Sequence, residues 1–448
     1  MRRPCLRAAT ATLATTCGDC LARPSACRAN IPHNRSRRAL RLDHPIPTLT
    51  SAARAATTLT SIHAFSFPTS ISFGPGARRS IAPYLREQRV ARPLVVTDRG
   101  LAALPVFAGF LRELGELQAG VFSGIEGNPT RSQAMEGASA FRTHRADAVI
   151  GVGGGAALDV AKAVALMAVH EGDILEYAWD HPAVRPITAP LPCLVAVPTT
   201  SGTGSEVGRS AVISDDVTHV KKIIFSPMLL AKAVFADPEL TIDLPPAVTA
   251  ATGMDALTHN VESYLSPAYH PICDGIALEG ARIAARALPA AVRNGHDLAA
   301  RSDMMMASMM GAIAFQKDLG AVHSCAHALS TVAGLHHGLA NGIMIDHVMR
   351  FNLDAAAAKL AELARIVNAP GGAQGSDPAR AQAFIDWLVA LKRDIGVPGR
   401  LAQAGGAHCV SRADVPRLVE IATADICHRT NPRPCTADDF RRLFEAAL

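Results

Sequence analysis

Acidic and imidazole side chains recur in this sequence at a spacing that suits a metal site. Asp255 and His259 are four residues apart in a segment of helical periodicity, and His323 and His327 repeat the same spacing. Side chains four residues apart on a helix lie on one face, about 5–6 Å from each other, so both members of a pair can reach one ion. The chemistry that such pairs offer is the binding of a divalent metal ion.

Further histidines follow the second pair. His336 and His337 come next, and five of the seventeen histidines fall between residues 323 and 347. A single histidine is more often a structural residue, but the grouping favours metal binding. Carboxylate and imidazole together suit a borderline divalent transition metal, whereas hard cations prefer more oxygens and structural zinc prefers thiolates. Because no cysteine lies at ligand spacing from these residues, we expect a catalytic ion with an open coordination position.

Two glycine-rich turns predict a nucleotide site. The first, GVGGGAALDVAK, occupies 151–162, and the second, PTTSGTGSE, occupies 198–206. Glycines between a strand and a helix let backbone N–H groups approach a phosphate closely. Alone, the first could be a tight turn and the second a solvated loop. Two such turns at the ends of consecutive strands favour a shared ligand, because these ends line one crevice in a parallel sheet.

Strand and helix patterns alternate in the part of the chain that carries these turns. Apolar, β-branched runs predict three strands, at 91–98, 146–152 and 192–198. Helical periodicity occupies 156–170, between the second and third of them. This alternation predicts an α/β N-terminal dinucleotide-binding domain over residues 63–240, with a parallel, Rossmann-like sheet.

The pattern of apolar and polar residues changes after about residue 238. Helical patterns occupy 248–265, 273–292, 300–315, 356–366 and 381–395, and residues 436–439 look like the capped start of a last helix. Residues 241–448 are therefore predicted to form an all-α, C-terminal metal-binding domain.

The first sixty residues differ in composition from the rest. They contain ten arginines, no lysine and two acidic residues, so they carry +8 while the whole chain carries +5, and the remainder carries −3. Such a segment is typical of an organellar transit peptide, but it also fits a bacterial reading frame whose start lies too far upstream. We predict a disordered extension over residues 1–62. The absence of a basic stripe argues against a nucleic-acid partner, and no apolar stretch reaches the roughly 18 residues of a membrane span.

Taken in order, these motifs resemble those of the iron-dependent (group III) alcohol dehydrogenases. GGGAALDVAK and PTTSGTGSE are similar to the cofactor turns of that family, while GMDALTHNVESYLS and GAVHSCAHALSTVAGLHHGLAN resemble its two metal signatures. The resemblance spans roughly residues 65–448. It implies that the ion, Fe²⁺ or Zn²⁺, is bound by Asp255, His259, His323 and His337. It also implies that His327 contacts a ligand or handles a proton in catalysis, and it gives His336 no role.

The resemblance further implies a set of NAD-binding residues. Asp98 would hold the adenosine ribose and disfavour a 2′-phosphate, so we expect NAD rather than NADP. The pyrophosphate and the rest of the cofactor would contact Asn128, Gly154, Gly155, Ala156, Asp159, Thr199, Thr200, Thr203 and Lys221. Two positions depart from the family pattern. Ala156 replaces a serine, and Gly208 stands where many relatives have threonine, so each removes a hydroxyl from the expected cofactor site.

The expected activity is the NAD-linked interconversion of an alcohol with an aldehyde or ketone by hydride transfer, assisted by a metal ion that polarises the oxygen. One alternative is a hydroxyacid–oxoacid transhydrogenase of the same family, and another is an inactive metal- or nucleotide-binding scaffold. We expect a small-molecule substrate and a homodimer or larger homo-oligomer. The expected location is the bacterial cytoplasm, or the mitochondrion if the extension is a genuine transit peptide.

Overall fold

The computed structural model describes Phe67, residues 69–405 and residues 409–448. The extension expected over residues 1–62 lies outside this part of the chain. The strands are β1 (Ser70–Phe73), β2 (Pro93–Asp98), β3 (Gly120–Ile125), β4 (Ala148–Gly153), β5 (Cys193–Pro198), β6 (Ser210–Ser214), β7 (Lys221–Phe225) and β8 (Ala233–Ala236). The α-helices are α1 (Ile81–Glu87), α2 (Arg99–Ala102), α3 (Pro105–Glu113), α4 (Arg131–His144), α5 (Gly155–Met167), α6 (Pro246–Leu265), α7 (Pro271–Arg293), α8 (Leu298–Ala314), α9 (Ala321–Ala333), α10 (His337–Ile366), α11 (Asp377–Asp394), α12 (Val415–Ala424) and α13 (Ala437–Ala447).

Six of these strands form a parallel sheet in the order β1–β8–β5–β4–β2–β3. The central strands β2, β4 and β5 correspond to the three predicted strands. They are rich in valine, isoleucine and alanine and are almost wholly buried, as in parallel sheets whose two faces are both covered by helices. Strands β6 and β7 form a separate antiparallel hairpin.

The strand order opens a crevice at one edge of the sheet. From β2 the chain passes outward to β3 and then returns to β4 on the other side of β2. In open α/β sheets, ligands bind beside the carboxyl ends of the strands that flank such a switch. Those ends carry Asp98 on β2 and Gly153 on β4. The predicted Rossmann-like arrangement is therefore present.

Helices α6–α13 pack around a second core of alanine, leucine, valine and methionine side chains. Thr436 caps α13 through reciprocal hydrogen bonds with Asp439, as the sequence predicts. The helix predicted over 356–366 forms the second part of α10, which begins at His337 and is kinked at Ala356, where φ is −128° and ψ is 17°. The first half of α10 is buried on most sides and so lacks the polar face that makes a helix recognisable. None of the described helices combines the length and apolar character needed to cross a membrane.

Helix α8 joins the helical part to the sheet. The side chains of Met305 and Met309 pack in the same core as Leu158 of α5 and Val207. Methionine fills irregular gaps between packed elements, which accounts for the run of methionines in this helix. This packing places the amino end of α6, with α9 and the start of α10, opposite the carboxyl edge of the sheet, and a cavity remains there.

Candidate active site

The cavity has a volume of about 550 Å³ and brings both predicted constellations together. The sequence-predicted residues that line it are Asn128, Gly154, Gly155, Ala156, Asp159, Thr200, Thr203, Lys221, Asp255, His259, His323, His327 and His337. His336 lines it as well. Asp98 and Thr199 are not among the residues that line this cavity: Asp98 ends β2, and Thr199 lies in the second glycine turn.

One carboxylate oxygen lies at the centre of the histidine cluster. Asp255 Oδ1 is 3.5 Å from Nε2 of His337, 3.8 Å from Nε2 of His323 and 3.9 Å from Nε2 of His259. Donor atoms of Asp255, His323 and His337 all lie within 4.8 Å of one another. The amide nitrogen of Asn341 donates to the same oxygen at 2.7 Å, so it marks the point on which the other side chains converge.

The helices explain this convergence. Asp255 and His259 lie on one face of α6, His323 lies in the first turn of α9, and His337 is the first residue of α10. Burial lowers the pKa of His259 to about 4 and that of His337 well below its ordinary value, because desolvation disfavours the charged ring. Both imidazoles are therefore neutral near pH 7, which is the form that binds metals.

A buried carboxylate orients one of these rings. Glu262 accepts a hydrogen bond from Nδ1 of His323 at 2.6 Å and another from the backbone N–H of Val322 at 2.7 Å. The Nε2 atom of His323 is thereby turned toward Asp255. Sequence reasoning assigned Glu262 no role, although its position seven residues after Asp255 places it on the same face of α6.

A second carboxylate orients His327. Asp425 Oδ2 accepts a hydrogen bond from Nδ1 of His327 at 2.7 Å, while Oδ1 accepts from the hydroxyl of Ser324 and from the backbone N–H of Cys427. Burial opposes ionisation of Asp425, but the interaction with His327 and the hydrogen bonds from His327, Ser324 and Cys427 together hold the pKa of Asp425 well below its usual range. The ring of His327 stacks on that of His337 with a centroid separation of 5.2 Å. Nothing in the local sequence marks Asp425 as a partner of His327.

The first glycine turn ends in an open helix start. Gly153 has φ +148°, and a Cβ there would lie 2.6 Å from the Cβ of Ala157, so both backbone and packing require glycine. Helix α5 begins at Gly155, and Gly154 precedes it without a side-chain cap. A Cβ at Gly155 would lie 2.6 Å from the side chain of Thr203, so the two turns are in contact. The free N–H groups and positive dipole end of α5 offer a site for an anion such as pyrophosphate.

A buried polar network lies below this turn. Asp159 accepts hydrogen bonds from the hydroxyl of Ser205 at 2.6 Å and from the backbone N–H of Val212 at 3.0 Å. Lys162, whose pKa is lowered by burial, donates to Ser205 Oγ and to the carbonyl of Ser210, each at 2.7 Å. These contacts tie α5 to the second glycine turn and to the β6–β7 hairpin. The carboxylate of Asp159 is thus already engaged within the protein.

Asp98 and Thr199 support the same edge of the sheet. Asp98 caps α2 by accepting from the backbone N–H of Leu101 at 2.7 Å, and its second oxygen would lie 3.3 Å from a Cβ at Gly153. The backbone N–H of Thr199 donates to the carbonyl of Gly153 at 3.0 Å. Each therefore contacts the first glycine turn from a neighbouring strand.

Comparisons with known proteins agree with this geometry. Residues 68–238 match the family model for iron-containing alcohol dehydrogenase, and residues 249–448 match the C-terminal model of the Fe-containing alcohol dehydrogenase family. A 4-hydroxybutyrate dehydrogenase of Cupriavidus necator is 41% identical over 369 residues, covering 80% of this chain and 93% of that protein. The crystal structure of a 1,3-propanediol oxidoreductase has a TM-score of 0.82 and 36% identity, covering 87% of this chain and 100% of that one. A sulfoacetaldehyde reductase of Bifidobacterium kashiwanohense in complex with NAD⁺ has a TM-score of 0.78 and 27% identity, covering 86% and 99%. The chain therefore belongs to the iron-containing alcohol dehydrogenase family.

Proposed function

We propose that Asp255, His259, His323 and His337 hold one divalent ion beside the nicotinamide of NAD. Membership of the family makes the protein an NAD-linked oxidoreductase that interconverts an alcohol and a carbonyl compound. The observation that carries the assignment of residues is the convergence of Asp255, His323 and His337 in a cavity that the glycine turns also line.

The donor set fits Fe²⁺ or Zn²⁺. Donor atoms that lie about 2.0–2.2 Å from an ion in tetrahedral geometry are roughly 3.4 Å apart. The three imidazole nitrogens lie 3.5 to 3.9 Å from Asp255 Oδ1, close to that separation. One carboxylate with three imidazoles suits a borderline transition metal rather than Mg²⁺ or Ca²⁺. Iron is the ion implied by the family, and zinc is the control.

The ion supplies Lewis acidity that eases loss of the alcohol proton, and NAD supplies the hydride acceptor. The protein contributes orientation. Glu262 fixes the ring of His323, and Asn341 fixes the carboxylate of Asp255, so neither ligand must reorganise when the substrate binds. We assign His327 to moving the alcohol proton, because Asp425 accepts a hydrogen bond from its Nδ1 and the ring lines the cavity.

We further propose that some residues of the cofactor site contact NAD directly, while others hold the glycine turns in place. Residues 63–240 would hold NAD, with its pyrophosphate on the start of α5. The direct contacts would come from Asn128, Gly154, Gly155, Ala156, Thr200, Thr203 and Lys221, all of which line the cavity. Asp98 would receive the adenosine ribose at the end of β2. Asp159 would hold the second turn through Ser205 and the hairpin through Val212, and the backbone of Thr199 would hold the first turn through Gly153.

The substrate, assembly and location are proposals of the same kind. The relatives named above act on 4-hydroxybutyrate, 1,3-propanediol and sulfoacetaldehyde by their names, so we propose a small alcohol or its carbonyl counterpart. We propose a homodimer or larger homo-oligomer, which sedimentation velocity would test. The free thiols among the described residues fit a reducing compartment such as the cytoplasm.

The test is reconstitution with metal. Protein stripped with a chelator and reloaded anaerobically with Fe²⁺ should form NADH from an alcohol panel, and a Zn²⁺ sample serves as the comparison. His337→Ala should lose turnover by at least about a hundredfold, since it removes a ligand. His347→Ala removes a histidine from the same helix outside the cavity and should retain activity. Full activity of stripped protein would contradict the proposal, and hydroxyacid–ketoacid exchange without added NAD would select the transhydrogenase alternative.

A further inference from the structure

A second cavity, of about 460 Å³, adjoins the one that contains the histidines. We call it the side cavity. Six residues line both cavities, namely Gly208, Ser210, Ile223, Phe315, Leu319 and Cys427. Because the walls are shared, an alcohol whose hydroxyl group reaches the histidines has room to extend its chain into the side cavity.

The side cavity is lined mainly by apolar side chains. Trp179 and Phe225 line it with 44% and 54% of their surfaces exposed, and Leu230 and Ile313 contribute aliphatic surface. Large exposed aromatic side chains around a concavity are typical of a surface that binds an apolar group. An apolar chain placed there would remove this surface from water, which is favourable.

The charges of the side cavity cancel. Of the described residues that line it, Arg209 and Asp318 carry formal charges, and these have opposite signs. The guanidinium of Arg209 lies over the ring of Phe225, 5.3 Å from the ring centroid. The cavity therefore offers no net attraction for a carboxylate or an ammonium group, and a charged tail would lose hydration on entering it.

Gly208 stands at the junction of the two cavities. Its φ is −91°, which any residue adopts. A Cβ there would lie 3.5 Å from the carbonyl oxygen of Ser205 and 3.8 Å from Nζ of Lys162, which are ordinary contact distances. Neither the backbone nor the packing requires glycine at this position. A larger side chain here would occupy space between the two cavities, and glycine leaves that space open.

We propose that the side cavity binds the tail of the substrate, and that the preferred substrates are uncharged alcohols and aldehydes with an apolar chain longer than that of ethanol. This proposal rests on the proposed function, because it assumes that the hydroxyl group is held at the histidines. It differs from what the names of the relatives imply, because it disfavours a tail that ends in a carboxylate.

The test compares kcat/KM for ethanol, butan-1-ol and hexan-1-ol with NAD on the Fe²⁺-loaded enzyme. Full burial predicts a rise of about fourfold for each added methylene. 6-Hydroxyhexanoate, which matches hexan-1-ol in length, should be used at least about tenfold less well, because its charge must be desolvated. Gly208→Thr and Trp179→Ala should each lower the ratio of hexan-1-ol to ethanol. Phe73→Ala, which truncates an exposed aromatic side chain on β1 that does not line the side cavity, should leave this ratio unchanged.

Two outcomes separate the claims. If ethanol is oxidised but efficiency does not rise with chain length, or if 6-hydroxyhexanoate is preferred, the side-cavity proposal is overturned and the proposed function stands. If no alcohol is oxidised, calorimetry with hexanamide and acetamide, in the presence of NAD, still tests the cavity. Tighter binding of hexanamide that Trp179→Ala weakens would support the side cavity, and equal binding of both amides would overturn it.

Discussion

Glu262→Gln tests how the metal site is built, because this carboxylate lies directly behind a ligand. Glu262 is 2% exposed, and its oxygens accept from His323 Nδ1 and from the backbone N–H of Val322. Glutamine keeps the shape of the side chain but has no charge, and its amide NH₂ group replaces one carboxylate oxygen. Either His323 Nδ1–H or the Val322 backbone N–H would then face this NH₂ group, which cannot accept a hydrogen bond. Carboxylates that orient a ligating histidine typically contribute about 10- to 100-fold to metal affinity, or about 1.4–2.8 kcal/mol. We expect a loss of affinity in that range.

The assay is competition for Fe²⁺ against a chromophoric chelator under anaerobic conditions, with thermal unfolding measured in parallel. Asp346→Asn is the matched control, since Asp346 is a buried carboxylate that pairs with Lys392 in the helical part and does not line the cavity. Both variants should lower the Tm of the protein, but only Glu262→Gln should weaken metal binding. An unchanged dissociation constant for Fe²⁺ in Glu262→Gln would refute the reasoning.

Four further predictions follow from the same geometry. Because burial lowers the folded-state pKa of His259 to about 4, the unfolded chain binds more protons than the folded one below pH of about 6.5. Metal-free protein should therefore lose stability as the pH falls from there toward 4, and an unchanged Tm over this range would contradict the depressed pKa of His259. Asp98→Gly should raise the ratio of kcat/KM with NADP to that with NAD, and an unaltered ratio would remove the role of Asp98. Gly153→Ala forces a Cβ into the 2.6 Å approach to Ala157 at a φ of +148°, so it should cost about 1–3 kcal/mol of unfolding free energy and weaken NAD binding, and wild-type values of both would show that the turn tolerates a side chain. His327→Ala should slow turnover more than it depletes metal, and stoichiometric loss of the ion would instead make His327 a ligand.

The central sheet could be read from the sequence because its strands carry their own signal. β2, β4 and β5 are runs of apolar residues between turn residues, so local pattern and final structure agree. β8 is an apolar run of only four residues and β7 begins with two lysines, so both give a weaker signal. β7 pairs with the neighbouring β6, whereas β8 pairs with β1 and β5, which lie farther away in the chain, and local pattern does not encode that pairing.

The candidate site shows the same limit. The i to i+4 pairs and the glycine turns are local patterns, and the structure brings both into one cavity. Asp425 is different, because it reaches His327 across 98 residues of sequence and no spacing rule connects them. The start of α10 was missed for a related reason, since a helix buried on most sides has no amphipathic period. The family resemblance implies the four metal ligands. Which carboxylates orient the histidines depends on tertiary packing, which the sequence pattern does not show.

The most direct test of the central claim is anomalous diffraction at the iron edge from crystals grown anaerobically with Fe²⁺ and NAD. The account predicts one iron peak per chain, ligated by Asp255, His259, His323 and His337, with the nicotinamide beside it. A peak at the neighbouring group of His327, Asp425 and Cys427, or an iron distant from the bound nicotinamide, would contradict it.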